Sequence, residues 1–323
     1  MDLISVIIPM RNAEAFVAQT LKSILSQDDV RLEIVVVNDG SVDGSAEVVR
    51  GLNDSRIRMI DGPQRGISAA FNAGLAEARG AQLCRCDADD LYPPKRLSRQ
   101  AAFLRDHPEY GAVCSGYSFI GPTGQPVRTF AEGTAVEDVT PELLAGGGRS
   151  HMSAFLFRTD LVRQIDGCRE WFVTSEDADL QFRLAQATRI AFLPIDAYHY
   201  RLHDNSITHS QADERRKFYE RCAGEFLKQR LAGGLDDLQR GNPPQAPAAA
   251  ASARSTGRQI RGMLWGDAWR LHAAGQKRAA LAKAAAAWKI APLSPTSWTT
   301  WIKLFLKPSG RTAPMNKAER MHS

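Results

Sequence analysis

The sequence predicts an α/β fold: a mostly parallel central sheet flanked by helices, with a small helical C-terminal appendage. Three observations carry this. From Leu3 to Cys86, short β-branched apolar runs alternate with amphipathic stretches at the pace of βαβ units. The second and fourth of these runs end at polar turns, Asn38–Ser45 and Asp87–Asp90. Beyond Gln239 a Pro/Ala-rich stretch separates this body from a basic, Trp-rich tail.

Leu3–Ile8, closed by Pro9, reads as a buried parallel strand. From Asn12 to Ser26 the residues Ala15, Phe16, Ala18, Leu21, Ile24 and Leu25 fall at helical spacing. Leu32–Val37 is a second strand, and Asp43 or Ser45 is placed to cap the helix that ends at Leu52. Arg56–Ile60 is a short third strand, Gly66–Arg79 a helix ended by Gly80, and Ala81–Cys86 a fourth strand. Ligands of parallel sheets lie beyond the carboxyl ends of strands, so the loops Asn38–Ser45 and Asp87–Asp90 are expected to converge.

Pro93–His107 reads as a helix with proline in its first turn, and Gly111–Ile120 as a strand. Val127–Gly148 reads as a polar, Gly-rich loop with a short helix at Pro141–Ala145. Ser153–Phe157 is a strand and Thr159–Ile165 a helix. Glu176–Ala187 is a helix with Ser175 as N-cap. Ile190–Leu193 and Ala197–Leu202 read as separate strands, and Asp213–Leu231 as a helix. Two further helices, about Ile260–Ala273 and Gln276–Ile290, meet at Gly275 and resemble one tetratricopeptide-like repeat. The expected division is a body over 1–235, a linker over 236–257 and a tail over 258–323.

The chain has 323 residues, 44% hydrophobic and 24% charged, enough for a full core plus an appendage. Its five cysteines are scattered, odd in number and form no CxxC pair. That argues against a structural zinc site or a disulfide framework and fits a reducing cytoplasm. No basic segment precedes an apolar run at the start, so no signal peptide is expected, and no apolar run approaches the ~20 residues of a membrane-spanning helix. From Arg258 onward twelve Lys/Arg stand against two acids, whereas the rest has 29 basic and 34 acidic residues. Five of the six tryptophans lie in that tail. Trp298–Lys307, aromatic and flanked by lysines, is a candidate for a membrane interface, with packing on the body or on a partner as the alternative. Nucleic acid is not an expected partner, because no base-stacking module accompanies the charge.

Asp87, Asp89 and Asp90 crowd three carboxylates into four positions. Such crowding calls for a positive partner. A divalent cation bridging to a phosphate-bearing ligand is one answer, and a solvated turn before Pro93 is the other. Asp39, in a Gly/Ser turn, can accept from a base imide or ribose hydroxyls, or bond its own turn. Glu176 and Asp177 complement a helix dipole and equally offer a general base. Arg85, between Cys84 and Cys86 in an otherwise apolar strand, has no role that the sequence explains.

The motifs occur in a fixed order: Ser5-Val6-Ile7-Ile8-Pro9 with Asn12, Val37 to Ser45, Asn72-Ala73-Gly74, Asp87-Ala88-Asp89-Asp90, then Ser175 to Leu180 with Arg183-Leu184. Together, over residues 1–210, they resemble a family 2 glycosyltransferase. The resemblance implies the GT-A fold of nucleotide-diphospho-sugar transferases, a Mg2+ or Mn2+ ion, and inverting transfer. The implied donor is a nucleotide-diphospho-sugar, a UDP-sugar first. The implied acceptor is a hydroxyl of a glycan, glycolipid or other lipid-linked cell-envelope precursor. The resemblance places Pro9, Asn12, Asp39, Asn72, Asp87 and Ala88 at the sugar nucleotide and Asp89 and His203 at the metal. It makes Asp177 the general base, with Glu176 placing the acceptor or the loop. Arg65 and Arg201 are candidate phosphate contacts, and His151 is a candidate for the acceptor cleft. The implied location is cytoplasmic, or peripheral on the inner face of the cytoplasmic membrane.

Two departures stand out. Phe71 occupies a position where many relatives carry Arg, and no Gln-x-x-Arg-Trp follows the Glu-Asp pair, since Gln211 is followed by Glu214-Arg215-Arg216. The second favours a single-addition enzyme over a processive polymerase. Two other readings stay open. A sugar nucleotidyltransferase would want a Gly-rich, basic phosphate loop where Met10-Arg11-Asn12-Ala13-Glu14 stands. A sugar-nucleotide-binding adaptor would bind without turnover.

Overall fold

The computed structural model describes residues 2–130, 133–204, 213–247 and 256–307. Its first half runs β1 (Leu3–Met10), α1 (Val17–Leu25), β2 (Arg31–Asn38), α2 (Ser45–Gly51), β3 (Ile57–Asp61), α3 (Ile67–Glu77) and β4 (Gln82–Arg85). These four strands are parallel, in the order β3-β2-β1-β4. Met10 lies opposite Asn38, Asn38 opposite Asp61, and the Cys86 N–H donates to the Ile7 carbonyl at 3.0 Å. All four carboxyl ends therefore share one edge.

Alternation along β1 explains its largely apolar run. Ile4, Val6, Ile8 and Met10 pack with Val17, Leu21 and Ile24 of α1 and Val49 of α2. Ile7 belongs to the opposite core, with Val35 and Val37 of β2 and Phe71 and Leu75 of α3. A strand covered on both faces is apolar on both, and its buried Ser5 is satisfied by donating to Glu33 Oε1 at 2.6 Å. α3 lies so close that a Cβ on Gly74 would sit 2.5 Å from Ile7 Cγ2.

The second half runs α4 (Arg96–Asp106), β5 (Tyr110–Ile120), β6 (Pro126–Phe130), β7 (Glu137–Asp138), α5 (Thr140–Leu144), a 3-10 turn (Met152–Ala154), β8 (Leu156–Arg158), α6 (Thr159–Gln164), α7 (Glu176–Ala187), β9 (Arg189–Arg201) and α8 (Asp213–Gly233). The nine-stranded sheet has the order β3-β2-β1-β4-β8-β5-β9-β7, with β6 beside β5. β8 is antiparallel to both β4 and β5, and β7 to β9. The sheet is thus mixed, parallel from β3 to β4 and antiparallel where β8 and β7 pair with their neighbours.

Other expectations need correction. α4 begins at Arg96, and left-handed Lys95 (φ 61°) separates it from the prolines. The polar segment Val127–Gly148 carries the short strands β6 and β7. Pro194 does not divide β9, which runs continuously to Arg201. Gly44, not Asp43 or Ser45, is the N-cap of α2, and Asp43 Oδ1 instead accepts from the Ser45 N–H at 3.1 Å. Ser175 holds the N-cap position of α7 in the left-handed region (φ 59°) but makes no side-chain cap bond.

Contacts divide the chain into two units: Met1–Phe119 with Thr129–Arg201 and Gln211–Ala251, and Ile120–Arg128 with Leu202–Ser210 and Ser252–Ser323. The second contains α9 (Thr256–Ala273), α10 (Lys277–Ile290) and α11 (Pro295–Leu306). Gly275, at φ 78°, turns α9 into α10. Buried Ala268, Ala284 and Leu304 form a small core with Trp265, Trp269, Leu281 and Trp301. Residues 248–255 of the expected linker, Gln211 and residues 308–323 lie outside the described residues.

In the first unit a buried ion network fixes α7. Asp179 is fully buried and accepts from Arg169 Nε and Arg183 Nε, each at 2.9 Å. Asp236, equally buried, accepts from Arg169 Nη1 at 2.6 Å and Arg230 Nη1 at 2.5 Å. Arg183 also donates to the Ile165 and Gly167 carbonyls, so the loop before α7 hangs on the same charges. Asp179→Ala is expected to cost about 3–5 kcal/mol, because it strands buried guanidinium groups. Chemical denaturation of the full chain measures it, and a loss below about 1 kcal/mol would contradict this account.

Candidate active site

The loops at the carboxyl edge are stitched together. Asn12, in the left-handed region (φ 52°), donates its N–H to Ser41 Oγ at 3.1 Å and accepts from the Val42 N–H at 2.9 Å. The Ala13 N–H donates to Ser45 Oγ at 2.8 Å, and the Glu14 N–H to Asp43 Oδ2 at 3.1 Å. Asp39 follows β2, and its N–H donates to the Met10 carbonyl at 2.8 Å. Its buried carboxylate accepts from the Gln64 N–H at 2.5 Å and the Gly66 N–H at 3.0 Å. A Cβ on Gly62 would lie 2.8 Å from Asp39 Oδ1, so only glycine lets that loop close over the acid. A carboxylate can accept about four bonds, and these two amides do not saturate Asp39. Pro9 is half-buried near the end of β1.

Asn72 has a partner that sequence did not suggest. Its Nδ2 donates to the Cys168 carbonyl at 2.7 Å, and its Oδ1 accepts from the Cys168 N–H at 2.9 Å. It docks the loop ahead of α7. Phe71 beside it is fully buried core. Arg65 pairs with Glu170 at 3.1 Å on an exposed surface.

The acidic loop after β4 is held from several sides. Ala88 accepts from Thr20 Oγ1 at 2.9 Å through its carbonyl. Asp90 is buried and accepts from the Tyr198 hydroxyl and, at 2.6 Å, from the Arg201 N–H. Burial, then the charges of Asp89 and Asp87, push its pKa well above the usual carboxylate range. Arg201, also buried, donates from Nε to the Asp89 carbonyl at 2.7 Å and from Nη2 to Gln19 at 3.1 Å. The Asp87 N–H donates to the Tyr198 hydroxyl at 3.1 Å.

Arg85 now has an explanation. Its side chain is 5% exposed. Nε donates to Asp87 Oδ1 at 2.7 Å and Nη1 to Glu176 Oε1 at 2.9 Å. Burial disfavours the guanidinium charge, but Asp87 and Glu176 outweigh it and raise the pKa. Burial also raises the pKa of Glu176, with Arg85 opposing. One buried cation thereby joins the tip of β4 to the N-terminus of α7, where Asp177 follows, partly exposed.

His151 lies among these charges. Burial lowers its pKa, opposed first by Asp87 and then by Asp177. Its ring stacks on Tyr198 at 5.6 Å and meets Tyr200 edge-on at 5.3 Å. An aromatic group continues from it: Tyr117 stacks on Phe130 at 5.0 Å, and Phe119 contacts Phe130 and Tyr200 at 5.2 and 5.5 Å. Sequence reasoning missed this group. The available signal was aromatics two apart, Tyr117 with Phe119 in β5 and Tyr198 with Tyr200 in β9, which share a strand face.

The structure thus brings together Asp87, Ala88, Asp89, Arg201, His151, Glu176 and Asp177, with Asn12 and Asp39 on neighbouring loops. Asn72 and Arg65 have structural partners, and His203 is a buried residue of the second unit. Among the described residues no three His, Cys, Asp or Glu side chains are grouped to hold a metal. Mg2+ and Mn2+ sites at phosphates are built from about one or two carboxylates plus phosphate oxygens and water, and the hard oxygen donors of Asp87 and Asp89 fit such a site.

Residues 5–162 match the family model described as Glycosyl transferase family 2. Over 221 residues, 67% of the chain, the sequence is 28% identical to chondroitin synthase of Pasteurella multocida (strain Pm70), covering 22% of that protein. The chain spans less than two thirds of the length of the curated relatives it matches. The fold is similar to Staphylococcus aureus TarS in complex with UDP-GlcNAc (TM-score 0.56, 18% identity, covering 93% of this chain and 79% of that one). It is also similar to the mannosyltransferase PcManGT of Pyrobaculum calidifontis in complex with GDP-Man and Mn2+ (TM-score 0.53, 20% identity, 94% and 84%). At these identities the structural likeness establishes a shared GT-A fold.

Arg85→Met, which leaves buried Glu176 and half-buried Asp87 facing each other without a cation, is expected to cost about 3–5 kcal/mol. Combined with Glu176→Gln it should recover part of that, with a coupling energy of about 1–3 kcal/mol in a denaturation double-mutant cycle. Strict additivity would show that the bridge does not join the two segments.

Proposed function

We propose that the chain, whose residues 5–162 match the model described as Glycosyl transferase family 2, moves a sugar from a nucleotide-diphospho-sugar to an acceptor hydroxyl with inversion at the anomeric carbon. The observation that carries this reading is the Arg85 bridge, which sets Asp87 and the Glu176-Asp177 pair on one site. Asp177 takes the proton of the acceptor hydroxyl. The acceptor oxygen bonds to the anomeric carbon on the face opposite the leaving group. The bond from that carbon to the diphosphate oxygen breaks, and its electron pair departs with the nucleoside diphosphate. Glu176, held by Arg85, keeps the α7 N-terminus in place for this transfer.

On the donor side, Asp39 accepts from the base or ribose, and Asn12 and Pro9 shape the adjoining loop. Asp87 and Asp89 would hold Mg2+ or Mn2+. When bound, that ion neutralises charge on the leaving diphosphate. TarS with UDP-GlcNAc and PcManGT with GDP-Man and Mn2+ support a nucleotide-sugar donor, and a UDP-sugar is our first choice. A glycan or lipid-linked acceptor would lie by His151 and the aromatic group, whose flat apolar faces suit the C–H face of a sugar ring. We assign catalysis to residues 1–235, joined through 236–257 to the helical tail 258–323.

Two variants test the roles. Asp177→Asn should keep the thermal shift induced by donor sugars but lower transfer by at least about 100-fold. Equal loss of both would assign Asp177 a structural role instead, and donor binding without turnover by the wild-type chain would favour the adaptor. Asp89→Ala should lose transfer and the Mn2+-dependent part of the donor-induced shift. Full activity of that variant in chelator-treated buffer would rule out a metal ion at Asp89.

A further inference from the structure

The helix α11 is apolar on two sides. Inward it presents Leu304 and Ser297, both fully buried, with Trp301 packed against the same core. Outward, Trp298, Ile302, Phe305 and Leu306 are 49%, 45%, 52% and 73% exposed. Their spacing of i, i+4, i+7 and i+8 makes one stripe along the helix. Leu293, in the turn before it, is 94% exposed. A contiguous apolar surface of this kind marks an interaction site.

The charge of the segment identifies the partner. From Arg258 to Lys307 nine Lys/Arg stand against a single acid, Asp267. Asp267 is already paired with Arg128 at 3.5 Å and with Arg270. Lys303 and Lys307 lie in and just after the helix. The Trp298 indole N–H donates to the Pro292 carbonyl at 2.8 Å, so that ring can enter an apolar medium without an orphaned donor. Tryptophan on an apolar stripe, with lysines beside it, is the pattern of an interfacial helix attracted to anionic lipid. The twelve residues of α11 reach only ~18 Å at 1.5 Å each, against ~30 Å for a bilayer's hydrocarbon core. No described helix is long and apolar enough to cross a membrane.

We propose that α11 docks the chain on an anionic lipid surface, its stripe at the acyl boundary and its lysines at headgroup phosphates. The proposal is independent of the glycosyl-transfer reading. The full chain should co-sediment with vesicles of mixed phosphatidylcholine and phosphatidylglycerol at least about tenfold more tightly than with phosphatidylcholine alone, and less so as salt rises. Ile302→Glu with Leu306→Glu should weaken that binding about tenfold or more, with circular dichroism and the melting temperature unchanged. Lys303→Gln with Lys307→Gln should weaken binding to the anionic vesicles alone. Wild-type-like binding by the Glu variant, or equal binding of the wild type to both vesicles, would overturn the proposal. So would a wild-type dimer in sedimentation velocity that ignores vesicles and dissolves on the Glu substitutions, since the stripe would then join two copies of the chain.

Discussion

A guanidinium buried at the carboxyl end of the sheet is the constraint on which the site rests. α7 begins with Glu176, Asp177 and Asp179, and its N-terminus comes to a loop carrying Asp87, Asp89 and Asp90. Two acidic segments cannot approach in a dehydrated setting without a cation between them. Arg85 is that cation, and it arises from β4 itself, so its position follows from the sheet register opposite Ile7. Burying a lone arginine there would cost several kcal/mol; two carboxylates within 2.9 Å make it sustainable. The charge thus determines where α7 can start.

The same logic recurs around the edge. Arg201 does for one side of the acidic loop what Arg85 does for the other, donating from Nε to the Asp89 carbonyl and from its N–H to Asp90. Asn12, Asp39 and Asn72 each bond backbone from a distant loop. Residues whose pattern points to a ligand are here also the fasteners of the loops that would receive it. Rigid first partners of this kind hold a site in geometry before a ligand arrives.

The parallel half of the fold was legible because a doubly covered strand reads as a largely apolar run and ends where polarity begins. The antiparallel half was not. β7 has two residues and β8 three, too short for any period to register. Pro194 looked like a strand boundary, yet β9 passes through it. At the site, the acidic tips and the Glu176-Asp177 pair could be found because they are local clusters. Arg85 could be noticed but not paired, since Glu176 lies 91 positions away. Asn72 and Cys168, 96 positions apart, were hidden for the same reason. Local pattern reports which residues are unusual; only tertiary proximity reports what answers them.

The charge balance then bears on the chemistry. Asp87 and Glu176 meet on Arg85, Asp90 and the Asp89 carbonyl on Arg201, and Asp177 follows Glu176 in the chain. Burial favours the neutral form of Asp90. The remaining carboxylates still outnumber the two guanidinium groups. A diphosphate brought to such a surface would be repelled, although the Asp39 loop beside it is built of turns suited to polar ligands. A divalent ion reverses the local sign and lets phosphate and carboxylate oxygens share one centre. The excess of acid is therefore not a defect that the fold tolerates. In the proposed function it is the half of an electrostatic pair that protein can supply, and an anionic donor with its cation would supply the other half.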